Sequence, residues 1–393
     1  MRVAVFGGGY AGIVAATRLE ERLPADASVV LVDRRERHLI RHELHRVIRR
    51  PGFADTIQVP FATILDRATV RQESVSSIDA DAGKVTFESG ETLSYDAGVL
   101  ALGSRPTYDG LEGVNAHGLP LASPADATAI GESMAELLDS GAGTVVVGGG
   151  GLAGVQVAGE LAALRADRGA DSVPIRLLEQ APEIVPEADP RFREELVAAL
   201  EARDVEVHTG RAVSGADESV VHLAENPDVP YDLFVWTGGI QGQAALGGER
   251  PMVRADLRLG DRTFGAGDAV RAVDEDGELA PATAQAAVSM GQVAADNALI
   301  RAEADDESGV RPAYHRYRDR SESRVASVGD AAVAQLGPVV VTGPPARALK
   351  SVVGIRYLSA AAGIERALSV VRGEFGLADP RTGRDPDRLP PEP

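Results

Sequence analysis

The chain has 393 residues, enough for two or three domains, and its 59 acidic and 40 basic side chains give a net charge of -19. This charge argues against a nucleic-acid partner, and the absence of cysteine excludes disulfides, thiolate metal sites and cysteine-based redox chemistry. With so few lysines the acidity favours a halophilic protein over the alternative, ordinary acidity from a GC-rich genome. No export signal or membrane-spanning apolar run is visible, so we expect a cytoplasmic protein.

A dinucleotide-binding βαβ unit is predicted at the start of the chain. Its parts follow in the required order: an apolar run at 2–6, the turn Gly-Gly-Gly-Tyr-Ala-Gly at 7–12, an alanine-rich segment and an apolar run at 28–32. Gly7 permits the tight turn, Gly9 leaves room for a pyrophosphate, and Gly12 lets the helix pack close to the strand. The phosphates are expected at the helix N-terminus, with Asp33 accepting hydrogen bonds from a ribose.

A basic stretch rich in arginine and histidine follows, from Arg34 to Arg50. It either balances the charge of a dinucleotide or forms a solvated surface helix. Within it His38, His42 and His45 fall at helical spacing, an arrangement that could hold a metal ion. Because the surrounding arginines would repel a divalent cation, we predict no metal site.

Short segments with turn signals lie between residues 69 and 99, at 69–71, 85–87 and 92–93, and predict a small antiparallel excursion. The segment at 95–106 then reads Tyr-Asp-Ala-Gly-Val-Leu-Ala-Leu-Gly-Ser-Arg-Pro. It resembles the strand YDxLVLAxGSxP that closes the FAD domain in the pyridine-nucleotide:flavin oxidoreductase family. The resemblance implies a flavoprotein fold with two dinucleotide sites.

The opening motif returns in the middle of the chain. A helix predicted from Ser123 to about Gly141 leads to an apolar run at 144–147, the turn at 148–154 and a second apolar run that ends at Glu179. Two such units imply two dinucleotides that meet face to face, for which FAD and a nicotinamide are the natural pair; a degenerate structural duplicate is the alternative. No arginine follows Glu179 to receive a 2′-phosphate, so NADH is favoured over NADPH.

Later segments extend the resemblance. The strand at 233–236 with Thr-Gly-Gly resembles the edge of the nicotinamide site, and the segment at 262–268 resembles a second FAD signature, whose aspartate would be Asp268. The FAD domain is therefore predicted to be discontinuous. The predicted fold class is α/β, with two Rossmann-like domains and a small C-terminal domain: an FAD domain at 1–122 and 248–303, an NADH domain at 123–247, a C-terminal domain at 304–375 after a linker near 305–309, and a disordered tail at 376–393.

Within this family the chain most resembles type II NADH dehydrogenases. Their AQxxxQ segment keeps Gln285 here, with Ser289 in the second position, and their GVExxGE segment keeps Glu160, with Gln156 as the departure. The stretch at 344–375 resembles their basic amphipathic tail and carries Lys350. The candidate catalytic residues are therefore Glu160 on the nicotinamide side, and Gln285 and Lys350 on the acceptor side.

The resemblance also implies the binding residues. The candidates for FAD are Gly7, Gly9, Gly12, Asp33, Arg34, Val75, Ala101, Gly103, Asp268, Ala284 and Gln285. The candidates for NADH are Gly149, Gly151, Gly154, Glu179 and Gly238.

The predicted function is hydride transfer from NADH to FAD and onward to a membrane quinone. Docking on the inner face of the membrane through the C-terminal helices is expected; their packing on the core or on a homodimer surface is the alternative. Two other functions stay open: a soluble reductase of ferredoxin or rubredoxin, and an NADH-sensing flavoprotein with little turnover.

Overall fold

The computed structural model describes residues 1–108, 110–170, 172–304, 312–320 and 323–349. The first part of the chain begins with a strand, a helix and a strand, as the sequence predicts. Its elements are β1 (Arg2–Phe6), α1 (Tyr10–Arg22), β2 (Ser28–Asp33), β3 (Arg37–Leu39), a 3₁₀ helix (Arg41–Val47), α2 (Phe53–Thr56), β4 (Gln58–Pro60), a 3₁₀ turn (Phe61–Thr63), β5 (Thr69–Gln72), β6 (Val75–Asp79), β7 (Lys84–Phe87), β8 (Thr92–Ser94), β9 (Ala97–Leu100) and β10 (Ser104–Pro106).

The middle of the chain repeats the strand–helix–strand order. Its elements are α3 (Val114–His117), β11 (Leu119–Pro120), α4 (Pro124–Ser140), β12 (Val145–Gly148), α5 (Leu152–Asp167), β13 (Ile175–Leu178), α6 (Pro190–Glu201), β14 (Val205–His208), β15 (Val213–Ala216), β16 (Val220–Leu223), β17 (Val229–Pro230), β18 (Leu233–Trp236), β19 (Ile240–Gly242) and a 3₁₀ turn (Ala244–Leu246).

The rest of the described chain contains one long helix and short strands. Its elements are β20 (Met252–Val253), β21 (Thr263–Gly265), a 3₁₀ turn (Gly267–Ala269), β22 (Arg271–Ala272), α7 (Ala284–Glu303), β23 (Ser323–Val328), β24 (Ala331–Leu336) and β25 (Val339–Thr342).

The first large sheet is parallel throughout, in the order β21–β9–β1–β2–β5. Its apolar strands are buried on both faces, as parallel sheets require, with α1 and α7 on one face and residues of β7 on the other. β21 pairs with β9 although the whole second unit lies between them in sequence. The chain therefore leaves this sheet after β9 and returns to it at β21.

The second large sheet is also parallel, in the order β11–β18–β12–β13–β14. In each sheet a central strand ends at a glycine-rich turn that leads into a helix, α1 after β1 and α5 after β12. The predicted α/β class with two dinucleotide-binding units is confirmed, and the domain boundaries given above stay a prediction.

The predicted antiparallel excursion is only partly right. The small antiparallel sheet consists of β6, β7 and β8. β5, which the sequence assigns to this excursion, instead pairs in parallel with β2, with Val30 opposite Thr69. The strand itself was predicted correctly, but its pairing was not, because a sequence of four residues is too short to identify the neighbouring strand.

A three-stranded antiparallel sheet, β23–β24–β25, comes after α7 in the sequence and packs on α5. The approach is close, because a Cβ atom on Gly159 of α5 would lie 2.6 Å from Val328 Cα. The sequence analysis did not predict this sheet. Residues 344–349 are helical; the predicted linker at 305–309, the helices beyond 349 and the tail at 376–393 lie outside the described residues.

Candidate active site

The two glycine turns have nearly the same geometry. Gly7 and Gly149 have φ values of +102° and +101°, a region that favours glycine. A Cβ atom on Gly12 would lie 1.7 Å from the Gly7 carbonyl oxygen, and one on Gly154 would lie 1.8 Å from the Gly149 oxygen. Both pairs therefore require glycine for the helix to approach the preceding turn.

The helices that follow these turns begin without a side-chain cap. Gly9 and Gly151 are the N-cap residues of α1 and α5, and a Cβ atom on either would meet nothing within 4 Å. Each of the other described helices of more than ten residues is capped, by Ser123, Asp189 or Thr283. The first N–H groups of α1 and α5 thus face open space, as anion sites at helix N-termini require.

The acid that ends each second strand contacts its own turn. Asp33 Oδ2 accepts a hydrogen bond from the Gly8 N–H at 2.7 Å, and Oδ1 accepts one from the Arg35 N–H at 2.8 Å. In the second unit Glu179 Oε2 accepts from the Gly150 N–H at 2.6 Å, and Oε1 accepts from the Ala181 N–H at 2.7 Å. The two acids fix the turns, and their contact with a ribose stays a prediction.

A cavity of about 660 Å³ opens beside the first turn. Most of the residues predicted for FAD line it: Gly7, Gly9, Asp33, Arg34, Val75, Ala101, Gly103, Asp268 and Ala284. Gly12 packs behind the turn. Ser104 and Arg250 escaped the sequence analysis: Ser104 Oγ donates to Asp268 Oδ2 at 3.3 Å, and Arg250 Nε donates to the Asp268 carbonyl oxygen at 2.7 Å.

The same cavity reaches the second unit. Ala153 and Gln156 of α5 line it, as do Trp236 at the end of β18 and Thr237 and Gly239 after that strand. The residues predicted for NADH lie next to this wall: Thr237 Oγ1 donates to the Gly149 carbonyl oxygen at 3.0 Å, and Gly149 approaches the backbone of Gly238. Ligands held at the two turns would therefore meet in one space.

Glu160 does not line the cavity. It is buried on α5, where its Oε2 lies 3.1 Å from Arg49 Nε. Gln156, one helical turn earlier, occupies the cavity wall instead. The structure thus places Glu160 in an ion pair behind the wall, and its predicted role beside the nicotinamide stays untested.

Neither of the two residues predicted for the acceptor side, Gln285 and Lys350, is found on the cavity wall in the part of the chain that the structure describes. Gln285 is exposed and does not line the cavity, although Thr283, Ala284 and Ala287 of the same helix region do. Its Oε1 accepts a hydrogen bond from Ser323 Oγ of β23 at 3.4 Å. Lys350 lies outside the described residues.

The three histidines of the basic stretch do not share a helix face. His38 lies in β3 and its Nδ1 is 2.9 Å from the Gly8 carbonyl oxygen, whereas His42 and His45 lie in the 3₁₀ helix. His42 Nδ1 contacts Tyr10 Oη at 2.6 Å, and His45 Nε2 contacts Ser327 Oγ at 2.7 Å. Burial lowers the pKa of His38 to about 4. Within the described ranges no group of residues is arranged to hold a metal.

The basic stretch is also not a solvated surface helix. Glu43, Leu44, His45, Arg46 and Val47 of the 3₁₀ helix are buried. Tyr10, which lines the cavity directly after Gly9, was not predicted as a site residue from the sequence. A tyrosine within a glycine motif was the available signal.

Among the described residues no helix has both the length and the hydropathy needed to cross a membrane.

A family model of pyridine nucleotide-disulphide oxidoreductases matches residues 1–291. The chain is 30% identical over 312 residues to the demethylphylloquinone reductase NdbB of Synechocystis. The matched region covers 73% of this chain and 76% of that protein. It is 26% identical over 408 residues to a type II NADH:quinone oxidoreductase of Staphylococcus aureus, covering 95% and 98% of the two chains.

A solved structure, NDH2 from Plasmodium falciparum in complex with NADH, is similar with a TM-score of 0.81. The match covers 96% of this chain and 98% of that chain at 13% identity, so it shows a shared fold.

Proposed function

The chain belongs to the pyridine nucleotide-disulphide oxidoreductase family, and on that premise we propose that it is an FAD-dependent NADH dehydrogenase that reduces a quinone. One observation carries the proposal: two uncapped helices, each after a glycine turn, direct their first turns to one cavity. Of the relatives named above, NdbB is a demethylphylloquinone reductase and the Staphylococcus aureus protein is an NADH:quinone oxidoreductase. The chain has no cysteine, so it cannot carry the disulfide chemistry for which the family is named.

FAD fits the first unit. Gly9 presents open space beside uncapped N–H groups, where a pyrophosphate would be held, and Asp33 and Asp268 place carboxylates on the cavity wall. When bound, FAD supplies the chemistry that accepts two electrons from one substrate and gives them to the other. The chain's own residues bind the two substrates, orient them and limit the access of water.

NADH fits the second unit. The carboxylate of Glu179 lies at the turn and is buried, with Gln180 and not an arginine after it. A 2′-phosphate would bring like charges together in this place, whereas a ribose hydroxyl can donate to the carboxylate. We therefore propose NADH as the electron donor.

The quinone is proposed to approach from the N-terminal end of α7. Thr283, Ala284 and Ala287 form this side of the cavity, and Gln285 lies at its outer edge against β23. We propose that Lys350, in the stretch at 344–375, also contributes to the quinone site. We propose that Glu160 affects the nicotinamide side of the cavity only indirectly, by supporting α5.

Peripheral membrane contact is a further part of the proposal. The stretch at 344–375 combines apolar residues with arginines in an otherwise acidic chain. The low lysine content and the net charge of -19 support a halophilic protein. We also propose the domain boundaries predicted from the sequence, and a homodimer is compatible with this proposal.

The test is steady-state oxidation of NADH by the purified protein with three acceptors: a water-soluble quinone analogue, ferricyanide and ferredoxin. We expect a yellow protein with one FAD and efficient quinone reduction. A colourless protein that takes up no FAD would overturn the proposal. Efficient reduction of ferredoxin without reduction of quinone would instead identify a soluble reductase, and slow turnover with every acceptor would identify a sensor.

A further inference from the structure

Tyr10 and His42 meet on the cavity wall. Tyr10 belongs to the first turn of α1, and His42 to the 3₁₀ helix. Tyr10 Oη lies 2.6 Å from His42 Nδ1 and accepts a hydrogen bond from the backbone N–H of His42 at 3.1 Å. The tyrosine oxygen is therefore held in place by two groups of one residue.

The proposed reaction needs a proton donor in the cavity, which the side chains of Tyr10 and His42 line together with the N-terminal end of α7. Reduction of a quinone to a hydroquinone takes two electrons and two protons, whereas NADH supplies two electrons and one proton. Each turnover must therefore take one further proton from water. The oxygen that receives it carries the charge of a hydroquinone monoanion until the proton arrives.

The carboxylates of the cavity are poorly placed for this task. Asp33, Glu73 and Glu88 adjoin one another beyond the end of the first sheet, where the Glu73 N–H donates to the Asp33 carbonyl oxygen at 3.0 Å and the Glu88 N–H donates to the Ser74 carbonyl oxygen at 2.9 Å. Asp268 accepts a hydrogen bond from Ser104. On the wall of the second unit Gln156 has no proton to give at neutral pH, although the resembling family has glutamate there.

His42 also offers a route to water. Its side chain is 32% exposed, whereas His45 on the same wall is 2% exposed and contacts Ser327. His42 Nε2 lies 3.5 Å from Glu43 Oε1, so a charged imidazole would be stabilised there.

Other charged and titratable groups surround the pair. Arg46 pairs with Glu43 at 3.0 Å and Arg41 precedes His42 on the same 3₁₀ helix. From β3, the ring of His38 lies 5.3 Å from the Tyr10 ring.

We propose that Tyr10 donates this proton to the quinone oxygen and that His42 replaces it from water. The Tyr10 O–H bond breaks as the hydroquinone O–H bond forms, and the tyrosine oxygen takes the Nδ1 proton of His42. His42 takes a proton from hydronium at Nε2 before or as it releases the Nδ1 proton, so the ring passes from the neutral Nδ1–H form through imidazolium to the neutral Nε2–H form, and proton exchange with water then restores Nδ1–H. The inference rests on the proposed function, because it requires a quinone in the cavity.

The two transfers are coupled. Burial raises the pKa of Tyr10 well above its usual range, so a free tyrosinate is disfavoured. Donation from His42 during the transfer avoids that species. The histidine is therefore as necessary to the step as the tyrosine.

The kinetic test compares two acceptors in Tyr10→Phe and His42→Gln. Ferricyanide takes electrons without a proton, so its reduction by NADH should be unchanged in both variants. Quinone turnover should fall by about 10²-fold or more, because general acid catalysis of this kind contributes about 10²–10⁴. It should also become steeply dependent on pH, since hydronium must then supply the proton.

Matched controls are Tyr95→Phe and His208→Gln. Tyr95 Oη is buried and lies 2.8 Å from Thr263 Oγ1, and neither Tyr95 nor His208 lines the cavity. Both variants should keep the quinone rate and its pH profile.

A second readout does not depend on turnover. In protein labelled with ¹⁵N at histidine and kept free of NADH, the Nδ1 resonance and the pKa of His42 should change in Tyr10→Phe. Unchanged values would show that the hydrogen bond does not form in solution, which would overturn the inference.

The outcomes separate the two proposals. If the unmutated protein reduces ferricyanide but no quinone, the proposed function fails. If it reduces quinone and both variants keep its rate and pH profile, only the proton donor is wrong. Should Tyr10→Phe lose its flavin, the ferricyanide rate will reveal it, and His42→Gln then decides.

Discussion

Arg49 Nε lies 3.1 Å from Glu160 Oε2, and both side chains are less than 10% exposed. The same guanidinium donates to both carboxylate oxygens of Asp330, at 3.1 and 2.5 Å. Arg49 follows the 3₁₀ helix, Glu160 belongs to α5, and Asp330 lies in the turn between β23 and β24. One arginine therefore joins the first unit, the second unit and the C-terminal sheet.

Glu160→Gln should weaken this junction. Loss of the buried negative charge leaves the buried Arg49 guanidinium with Asp330 as its principal partner, so we expect a loss of about 1–3 kcal/mol of stability from the charge that is left incompletely compensated. The melting temperature of the flavin-loaded protein measures this change.

The control for this prediction is Glu194→Gln on the exposed face of α6, which should change stability by less than about 0.5 kcal/mol. If Glu160→Gln leaves the melting temperature unchanged but slows reduction by NADH, the residue acts at the nicotinamide and not at the junction.

Gly9→Val should abolish FAD binding without unfolding the protein. Gly9 has φ −75° and ψ −166°, which valine adopts readily, and its Cβ would meet no protein atom within 4 Å. The added side chain would instead occupy the place of the pyrophosphate. The ratio of flavin to protein after gel filtration, with the melting temperature of the apoprotein, measures both effects.

Gly52→Ala is the matched control, because Gly52 also has an ordinary helical backbone and open space around its Cβ position. This variant should keep its FAD. Full flavin occupancy in Gly9→Val would contradict the assignment of the first turn.

The glycine turns were predictable because one residue type has a backbone freedom that no other has. Gly7 and Gly149 adopt the left-handed conformation, and Gly12 and Gly154 leave no space for a side chain. These constraints are local, so a single sequence displays them. The parallel sheets followed from them, because a strand–turn–helix–strand unit with a crossover helix has few alternatives.

The remaining features depend on contacts between distant segments. The contact between Tyr10 and His42 could not be predicted from the sequence, because the two residues are 32 positions apart. Glu160 meets Arg49 through the packing of α5 on the 3₁₀ helix, which no local pattern reports. The same reason explains β5, whose partner was misassigned.

Glu179→Gln should narrow the preference for NADH over NADPH mainly by improving NADPH. The unmutated carboxylate would face a 2′-phosphate of like charge, so we expect discrimination of a few kcal/mol, or about 10²-fold in kcat/KM. Glutamine keeps an oxygen for the N–H of Gly150, which alanine would leave without this acceptor.

The measurement is kcat/KM for both nucleotides with ferricyanide. Glu206→Gln, at an exposed ion pair with Arg176 on the same sheet, is the control and should leave the ratio unchanged. Equal kcat/KM values in the unmutated protein would contradict the role of Glu179.

Membrane docking should depend on the basic stretch at 344–375. Arg356→Glu and Arg366→Glu together should weaken binding to anionic liposomes, by about 1 kcal/mol for each charge removed at moderate ionic strength and less in high salt. Reduction of ferricyanide should not change, because this water-soluble acceptor does not require membrane contact. If the unmutated protein binds no liposomes at any salt concentration, the docking proposal is wrong.

His38 should make the protein less stable in acid. Its Nδ1–H donates to the Gly8 carbonyl oxygen at 2.9 Å, and burial lowers its pKa to about 4, against about 6.5 in an unfolded chain. Between these values the unfolded chain binds a proton that the folded protein does not, so the stability present above pH ~6.5 is lost as the pH falls. This difference in pKa corresponds to roughly 3 kcal/mol of stability.

His38→Asn tests this linkage. An asparagine amide can donate to the Gly8 oxygen from nearly the position of Nδ1, but it does not titrate. Melting temperatures at several pH values should therefore fall less steeply toward pH ~4.5 in this variant than in the unmutated protein, while His315→Gln, at an exposed position, should retain the original slope. Parallel pH profiles in His38→Asn and the unmutated protein would show that His38 is not the group responsible.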